Sequence, residues 1–199
     1  MNDEKAEMRT RERIIKTGAD IVHRKGFNNT GIKEILDEVG VPKGSFYFYF
    51  KNKEDFGLQV VDHFNGQIEG MTREILENTF NSPLARLQTL FKWFMEFFAS
   101  AGFTCGCPVG NLSQEMADLS PAFREKLQEA IDRMADAYSA VLLEAREAGE
   151  ISPDMDVREA AYFIIAGWHG ALLRMKVTKN REPLENHYRF VFEHLLAKG

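Results

Sequence analysis

"GIKEILDEVGVPKGSFYFYF", Gly31–Phe50, holds two apolar patterns of helical period separated by a glycine and a proline. Ile32, Ile35, Leu36 and Val39 recur at i, i+3, i+4 and i+7, the spacing that gathers side chains on one face of a helix. Gly40 is placed to stop that helix, and Pro42 suits the first position of a second one, where its missing N–H costs nothing. Thr30, just ahead, is the expected N-cap of the first.

In the second element Phe46, Tyr47, Phe48, Tyr49 and Phe50 stand in succession. At about 100° per residue, Phe46, Tyr49 and Phe50 share one side of the helix and Gly44, Tyr47 and Phe48 the other. The first side reads as core. The second sets a bare glycine beside aromatic and hydroxyl-bearing residues, with Lys43, Lys51 and Lys53 at its ends, so a polyanion can approach the backbone and be gripped by cations. Two short helices joined at a glycine turn, the second presenting its N-terminal residues, form a helix-turn-helix, whose second helix enters the major groove of DNA.

Outward from this motif the whole chain reads as α-helical, with no clean period-two stretch, low-complexity tract or repeat. A first helix is expected over 5–25, stopped by Gly26. Lys51 to Glu54 form a corner, after which a long helix carries Phe56, Val60, Val61, Phe64 and Ile68 toward Phe80. Breaks at Ser82-Pro83, Gly102 to Pro108, Ser120-Pro121, Gly149 to Pro153 and Glu182-Pro183 start five more helices, about nine in all. The expected division is a DNA-binding domain over 9–69, with its recognition motif at about 31–50, and a regulatory and dimerisation domain over 70–199.

The 199 residues are 44% hydrophobic, enough for a sizeable core. No run of about 18 apolar residues spans a membrane, and Met1 to Arg13 are charged, so a cytoplasmic protein is expected. The net charge of −5 is unevenly spread. Residues 1–55 carry 11 Lys and Arg against 10 Asp and Glu, and the remaining 14 Lys and Arg stand against 20 Asp and Glu. The acid therefore lies outside the candidate DNA-binding part, which removes the objection that a nucleic-acid partner needs a basic footprint.

The stretch "FNNTGIKEILDEVGVPKGSFYFYFKNKEDF", Phe27–Phe56, resembles the N-terminal signature of the TetR family of bacterial transcriptional regulators. It has that signature's threonine, apolar helix, glycine, lysine-glycine pair, aromatics and lysine-glutamate corner in register. The resemblance implies an all-α homodimeric repressor on palindromic double-stranded operator DNA. Thr30 and Lys53 would touch phosphates, Lys43, Gly44, Ser45 and Tyr47 would lie in or beside the major groove, and Tyr49 would contact the backbone.

One recognition helix reads too few base pairs for useful specificity, so a dimer surface is expected. The small residues Ala161, Ala166, Gly167, Gly170 and Ala171 permit close helix approach, and Tyr188, Val191, Phe192, Leu195 and Leu196 follow on the last helix. Two helices from each chain would give a four-helix bundle, the family's usual dimer. An internal core would use part of the same stripe. Farther back, Trp93, Phe94, Phe97 and Phe98, with Trp168, offer apolar lining for a hydrophobic inducer, or serve as plain core.

"CGCPVGNLSQEMADLSP", Cys105–Pro121, places Cys107 just before a proline-started helix, where the positive helix end favours a reactive thiolate. Cys105 would resolve an oxidised Cys107 as a strained disulfide. Two other readings stand beside this one: both cysteines as small buried hydrophobes, and a metal site, for which His169, His187 and His194 are far away in sequence. Residues around Cys107, with "EPLEN" at Glu182–Asn186, resemble the branch of the family that answers N-ethylmaleimide. In it a cysteine at this position carries the response to electrophiles and reactive chlorine. Lys176 would lower the Cys107 pKa if the fold brings the two together, or is a solvated surface lysine. The expected partners are operator DNA, a second copy and a small electrophile or hydrophobic inducer, with no membrane, cofactor or metal. The rivals are a regulator induced non-covalently with inert cysteines, a helical scaffold without DNA, and a helical enzyme, for which no phosphate loop, metal motif or nucleophile elbow is present.

Overall fold

In the structure, a computed structural model, residues 2–198 are described, with side chains from residue 8 onward; Met1 and Gly199, the last residue of the expected 70–199 domain, lie outside them. All regular structure among the described residues is helical. The order is α1 (Asn2–Lys25), α2 (Ile32–Val39), α3 (Gly44–Tyr49), α4 (Lys53–Leu76), α5 (Pro83–Ser100), α6 (Pro108–Met116), α7 (Pro121–Glu147), α8 (Val157–Thr178) and α9 (Glu182–Phe190). A π-helical turn, Val191–Leu195, continues α9.

Local chemistry sets these limits. Pro83, Pro108 and Pro121 each open a helix, as expected of a residue with no N–H to leave orphaned. Gly40 adopts the left-handed conformation at φ 74° and returns its N–H to Leu36 and Asp37, which closes α2 and turns the chain toward α3. At the start of α4, Asn52 Oδ1 accepts the Asp55 N–H at 2.8 Å while the Asp55 carboxylate accepts the Lys51 N–H at 2.9 Å.

Two expectations fail locally. Thr30 is not the N-cap of α2: Gly31 holds that place without a side-chain bond, and the Thr30 hydroxyl donates backward to the Gly26 carbonyl at 2.7 Å. Pro42 does not open α3, which begins at Gly44; its carbonyl accepts the Ser45 N–H at 2.9 Å in the turn that leads into that helix.

The chain divides into two compact units, Met1–Gln67 with Pro108–Ala130, and Ile68–Cys107 with Ile131–Gly199. The first break falls two residues before the expected limit at 69. The second departs from a continuous 70–199 domain, since residues 108–130 cluster with the N-terminal segment. Their apolar residues Val109, Leu112, Met116, Phe123 and Leu127 are buried. Phe123 meets Phe27 ring to ring at 5.0 Å. A Cβ at Gly57 would lie 2.5 Å from atoms of both rings, so only glycine lets α4 sit so close to them.

In this first unit Phe46, Phe50 and Phe56 form one aromatic knot, with ring centroids 5.0, 5.7 and 5.3 Å apart. The second unit packs α5, α7, α8 and α9 around Leu87, Leu90, Phe91, Leu142, Ile164, Trp168 and Phe192. Its buried Arg86 donates to the Leu76 carbonyl at 2.7 Å and pairs with Glu144, which satisfies one open carbonyl at the end of α4.

Candidate nucleic-acid interface and cysteine loop

Helix α3 presents the two sides that its period requires. Phe46 is fully buried, whereas Tyr47 and Phe48 are 58% and 67% exposed. Lys43 and Gly44 are exposed beside them, and nothing lies within 4 Å of where a Gly44 Cβ would be. Ser45 and Tyr49 are half-buried. Tyr47 meets Phe46 edge to face at 5.5 Å and Phe48 meets Tyr49 at 5.0 Å, which leaves the outer sides of both exposed rings open to water.

Behind it, the Arg13 guanidinium donates to the Val39 carbonyl at 2.7 Å and fixes the turn at Gly40. The hydrogen bond to Lys25 holds the Glu34 carboxyl below its ordinary range, and the hydrogen bond to Asp37 at 2.5 Å raises the Lys33 ammonium.

The two expected phosphate contacts differ, Thr30 being buried and Lys53 half-buried. Thr30 is 1% exposed. The Lys53 ammonium donates to the Asn28 carbonyl at 3.4 Å and lies 4.6 Å above the Phe27 ring; desolvation there pulls its pKa down.

The cysteines sit in a segment of unusual backbone. Gly102, Phe103, Cys105 and Gly106 all have positive φ, at 65°, 57°, 65° and 93°. The Gly106 N–H donates to the Thr104 carbonyl at 2.9 Å, a γ-turn with a left-handed central residue, which is the rarer and more strained form. Cys105 and Cys107 are half-buried and hold no disulfide. Cys107 packs with Phe103 against the second unit's core and directly precedes α6. Burial first, and then electrostatic interaction with the nearby Cys107 side chain, push the Tyr138 phenol above its ordinary range. No group of three or more ligating side chains that could hold a metal occurs among the described residues.

The five aromatics expected to line a pocket are linked ring to ring, Trp93 to Phe94 and Phe97 to Phe98 each at 5.3 Å, but the four on α5 divide between two sides of that helix. Trp93 and Phe97 stack on one another at 5.6 Å, and Phe97 is exposed. Phe94 meets Trp168 at 6.0 Å, while Phe98 and Trp168 belong to the core. The reason is helical spacing: residues four apart in α5 share a face, so Trp93 and Phe97 leave the side that carries Phe91, Phe94 and Phe98. The aromatic group that does form is Phe91, Trp168, His187 and Phe192. Inside it the His187 Nε2 is buried without a hydrogen-bond partner, and desolvation lowers that imidazole to about 4.

The expected dimer residues also separate. Ala166 and Gly170 are exposed on α8 in line with the exposed Phe163, Leu173 and Val177, and Phe190 is exposed on α9. Gly167 faces His187 instead, a Cβ there falling 2.7 Å from its ring. Phe192 is internal, 8% exposed against Phe91, and Leu195 is half-buried. No helix among the described residues is long and apolar enough to cross a membrane.

Two family models match in tandem, "Bacterial regulatory proteins, tetR family" over residues 14–60 and "Tetracyclin repressor-like, C-terminal domain" over residues 83–191. The transcriptional repressor DhaR of Mycobacterium sp. (strain GP1) is 34% identical over 94% of this chain and 92% of its own length. The transcriptional repressor NemR of Escherichia coli K12 is 32% identical over 89% of each. The crystal structure of E. coli NemR in its reduced form superposes with a TM-score of 0.84 over 92% of this chain and 96% of that one, at 29% identity. These matches are regulators, which disposes of the helical-enzyme reading. With helix-turn-helix geometry, both family halves and near full-length relatives agreeing, the chain belongs to the tetR family of bacterial regulatory proteins.

Proposed function

We propose that this DNA-binding regulator is a cytoplasmic homodimeric repressor that leaves its operator when Cys107 is modified. The observation that carries the proposal is the cluster of positive-φ residues, Gly102, Phe103, Cys105 and Gly106, that ends at a half-buried thiol. Non-glycine residues held at positive φ cost about 1–3 kcal/mol each, and such strain collects at switch regions. Cys107 is packed against the core with Phe103, so an added group has to displace its neighbours. Its place before α6 favours the thiolate, the form that attacks electrophiles and reactive chlorine. Its relative NemR is described as crystallised in a reduced form. The strained segment is joined directly to α6, and a shift worth about 1.4 kcal/mol in operator affinity is tenfold in occupancy.

Lys43, Gly44, Ser45, Tyr47 and Tyr49 read or flank the groove in this proposal, with Phe48 offering an apolar edge beside them. Thr30 is buried with its hydroxyl on the Gly26 carbonyl and makes no direct contact, whereas the half-buried Lys53 stays at the edge of the face as a phosphate contact. The second copy meets the first along Phe163, Ala166, Gly170, Leu173 and Val177, which sets two recognition helices about 34–36 Å apart or a multiple of that.

A second reading is favoured by His187. Its buried, unpartnered nitrogen among Phe91 and Trp168 suits a hydrophobic inducer with one polar group, bound without covalent change. Fluorescence anisotropy against the duplex upstream of its own gene, at fixed salt, separates the readings. N-ethylmaleimide is expected to abolish tight binding by the native chain and to leave Cys107→Ser bound. Tight binding that ignores alkylation overturns the thiol proposal and favours the second reading.

A further inference from the structure

We propose that Glu115, on α6, is a positioning residue for DNA reading: its carboxylate sets where the helix-turn-helix begins. The Phe27 N–H donates to Glu115 Oε2 at 2.8 Å, and the Asn28 N–H donates to Oε1 at 2.6 Å. Successive backbone amides converging on one carboxylate form a small anion-binding nest, and bonds to an ionised acceptor are the stronger kind. Gly26 makes the approach possible. Its φ is 89°, and a Cβ there would lie 3.0 Å from Glu115 Oε2. A second link runs alongside, the Asn28 side-chain amide donating to Met116 Sδ at 3.5 Å.

What the carboxylate holds is the turn that launches α2. In that turn the Thr30 N–H donates to the Phe27 carbonyl at 3.1 Å, its hydroxyl binds the Gly26 carbonyl, and α2 starts two residues later. Lys53 also covers the Phe27 ring and reaches the Asn28 carbonyl, near enough to Glu115 for the two charges to attract. The turn is therefore fastened by α6 and α4 together. The fastening by α6 spans more of the chain than any helix does: Glu115 stands 88 residues from the Phe27 donor and 87 from the Asn28 donor. Moving α6 by an ångström breaks or drags both amide bonds, and the first residue of α2 with them.

This inference rests on the DNA-reading role of α3, not on the thiol proposal. Full-length Glu115→Ala and Glu115→Gln are compared with the native chain by anisotropy on the upstream duplex and on an unrelated duplex at one salt concentration. Amide exchange over residues 26–39 is followed in parallel. Glu115→Ala is expected to weaken the upstream duplex about tenfold while binding to the unrelated one stays unchanged. The Phe27 and Asn28 amides should exchange faster while those later in α2 stay protected. Glu115→Gln, which keeps an oxygen acceptor without the charge, should fall between. Equal losses on both duplexes together with lost protection throughout α2 would mean a purely structural residue and overturn the proposal. Unchanged operator affinity in Glu115→Ala overturns it as well, with the native chain still bound to the duplex. A native chain that does not distinguish the duplexes overturns the DNA-reading assignment and this inference together.

Discussion

The Lys179 ammonium donates to the Phe103 carbonyl at 3.3 Å, so the residue that caps α8 in a left-handed conformation also pins the left-handed segment ahead of Cys107. Removing the pin in Lys179→Ala should loosen the loop and expose the thiols. Alkylation by N-ethylmaleimide, followed by mass spectrometry, is expected to run about fivefold faster, equivalent to ~1 kcal/mol of restraint. An unchanged rate would show that the loop is held elsewhere.

Cys105 lies at the centre of the γ-turn with φ 65°. An L-residue there costs about 1–2 kcal/mol, of which glycine's greater freedom in the unfolded chain offsets about 0.5–1. Cys105→Gly should therefore unfold at the same temperature as the native chain or a few degrees higher in a reducing calorimetric scan. Its operator release by N-ethylmaleimide should persist, since Cys107 remains.

Gly57 has no room for a methyl group between Phe27 and Phe123. Gly57→Ala forces one ring to move, and overpacking of this kind costs about 1–3 kcal/mol. Urea unfolding should show the lower midpoint with an unchanged slope, and operator binding should weaken in step as the first unit loosens.

Stability should fall in mild acid through the buried histidines. The His187 imidazole is lowered from 6.5 to about 4 by desolvation, so it stays neutral when folded while the unfolded chain takes up a proton. Folding stability from this group is complete above pH 6.5, and is lost as pH drops from there toward about 4. Desolvation shifts His63 and His169 the same way. Urea titrations at pH 7.5 and 5 should show a smaller acid loss for His187→Gln than for the native chain.

The exposed line on α8 predicts the oligomer. Leu173→Asp puts a charge in the middle of that line, where a dimer would have to desolvate it. Light scattering should report a monomer, with operator affinity reduced by about 100-fold or more because two half-sites are no longer held together. A dimer that survives the substitution would move the interface elsewhere.

Much of this was legible in the residues themselves. Periodicity alone separated buried Phe46 and Phe50 from exposed Tyr47 and Phe48, although Phe50 is extended and owes its burial to Phe46 and Phe56. Proline and glycine marked most helix limits because their constraints are local. Thr30 misled because a hydroxyl can satisfy a preceding carbonyl as well as a following N–H, and only the turn's geometry decides. Phe192 and Phe97 misled because a helix with apolar residues around its circumference does not declare which side meets water. Glu115 gave no signal at all. Its partners are backbone amides, which every residue but proline possesses, and they lie far off in sequence.

The paired lysines around α2 have one more effect. With Lys33 bound to Asp37 and Lys25 to Glu34, each of these exposed cations carries a carboxylate that a phosphate would have to displace. Each phosphate left uncontacted removes about 0.9 from the logarithmic salt dependence of binding, and that sequence-blind attraction is what holds a protein on arbitrary DNA. A genome presents about 10⁶–10⁹ such decoy positions. A regulator with muted background attraction spends less of its copy number on them, so few molecules suffice to keep one operator occupied.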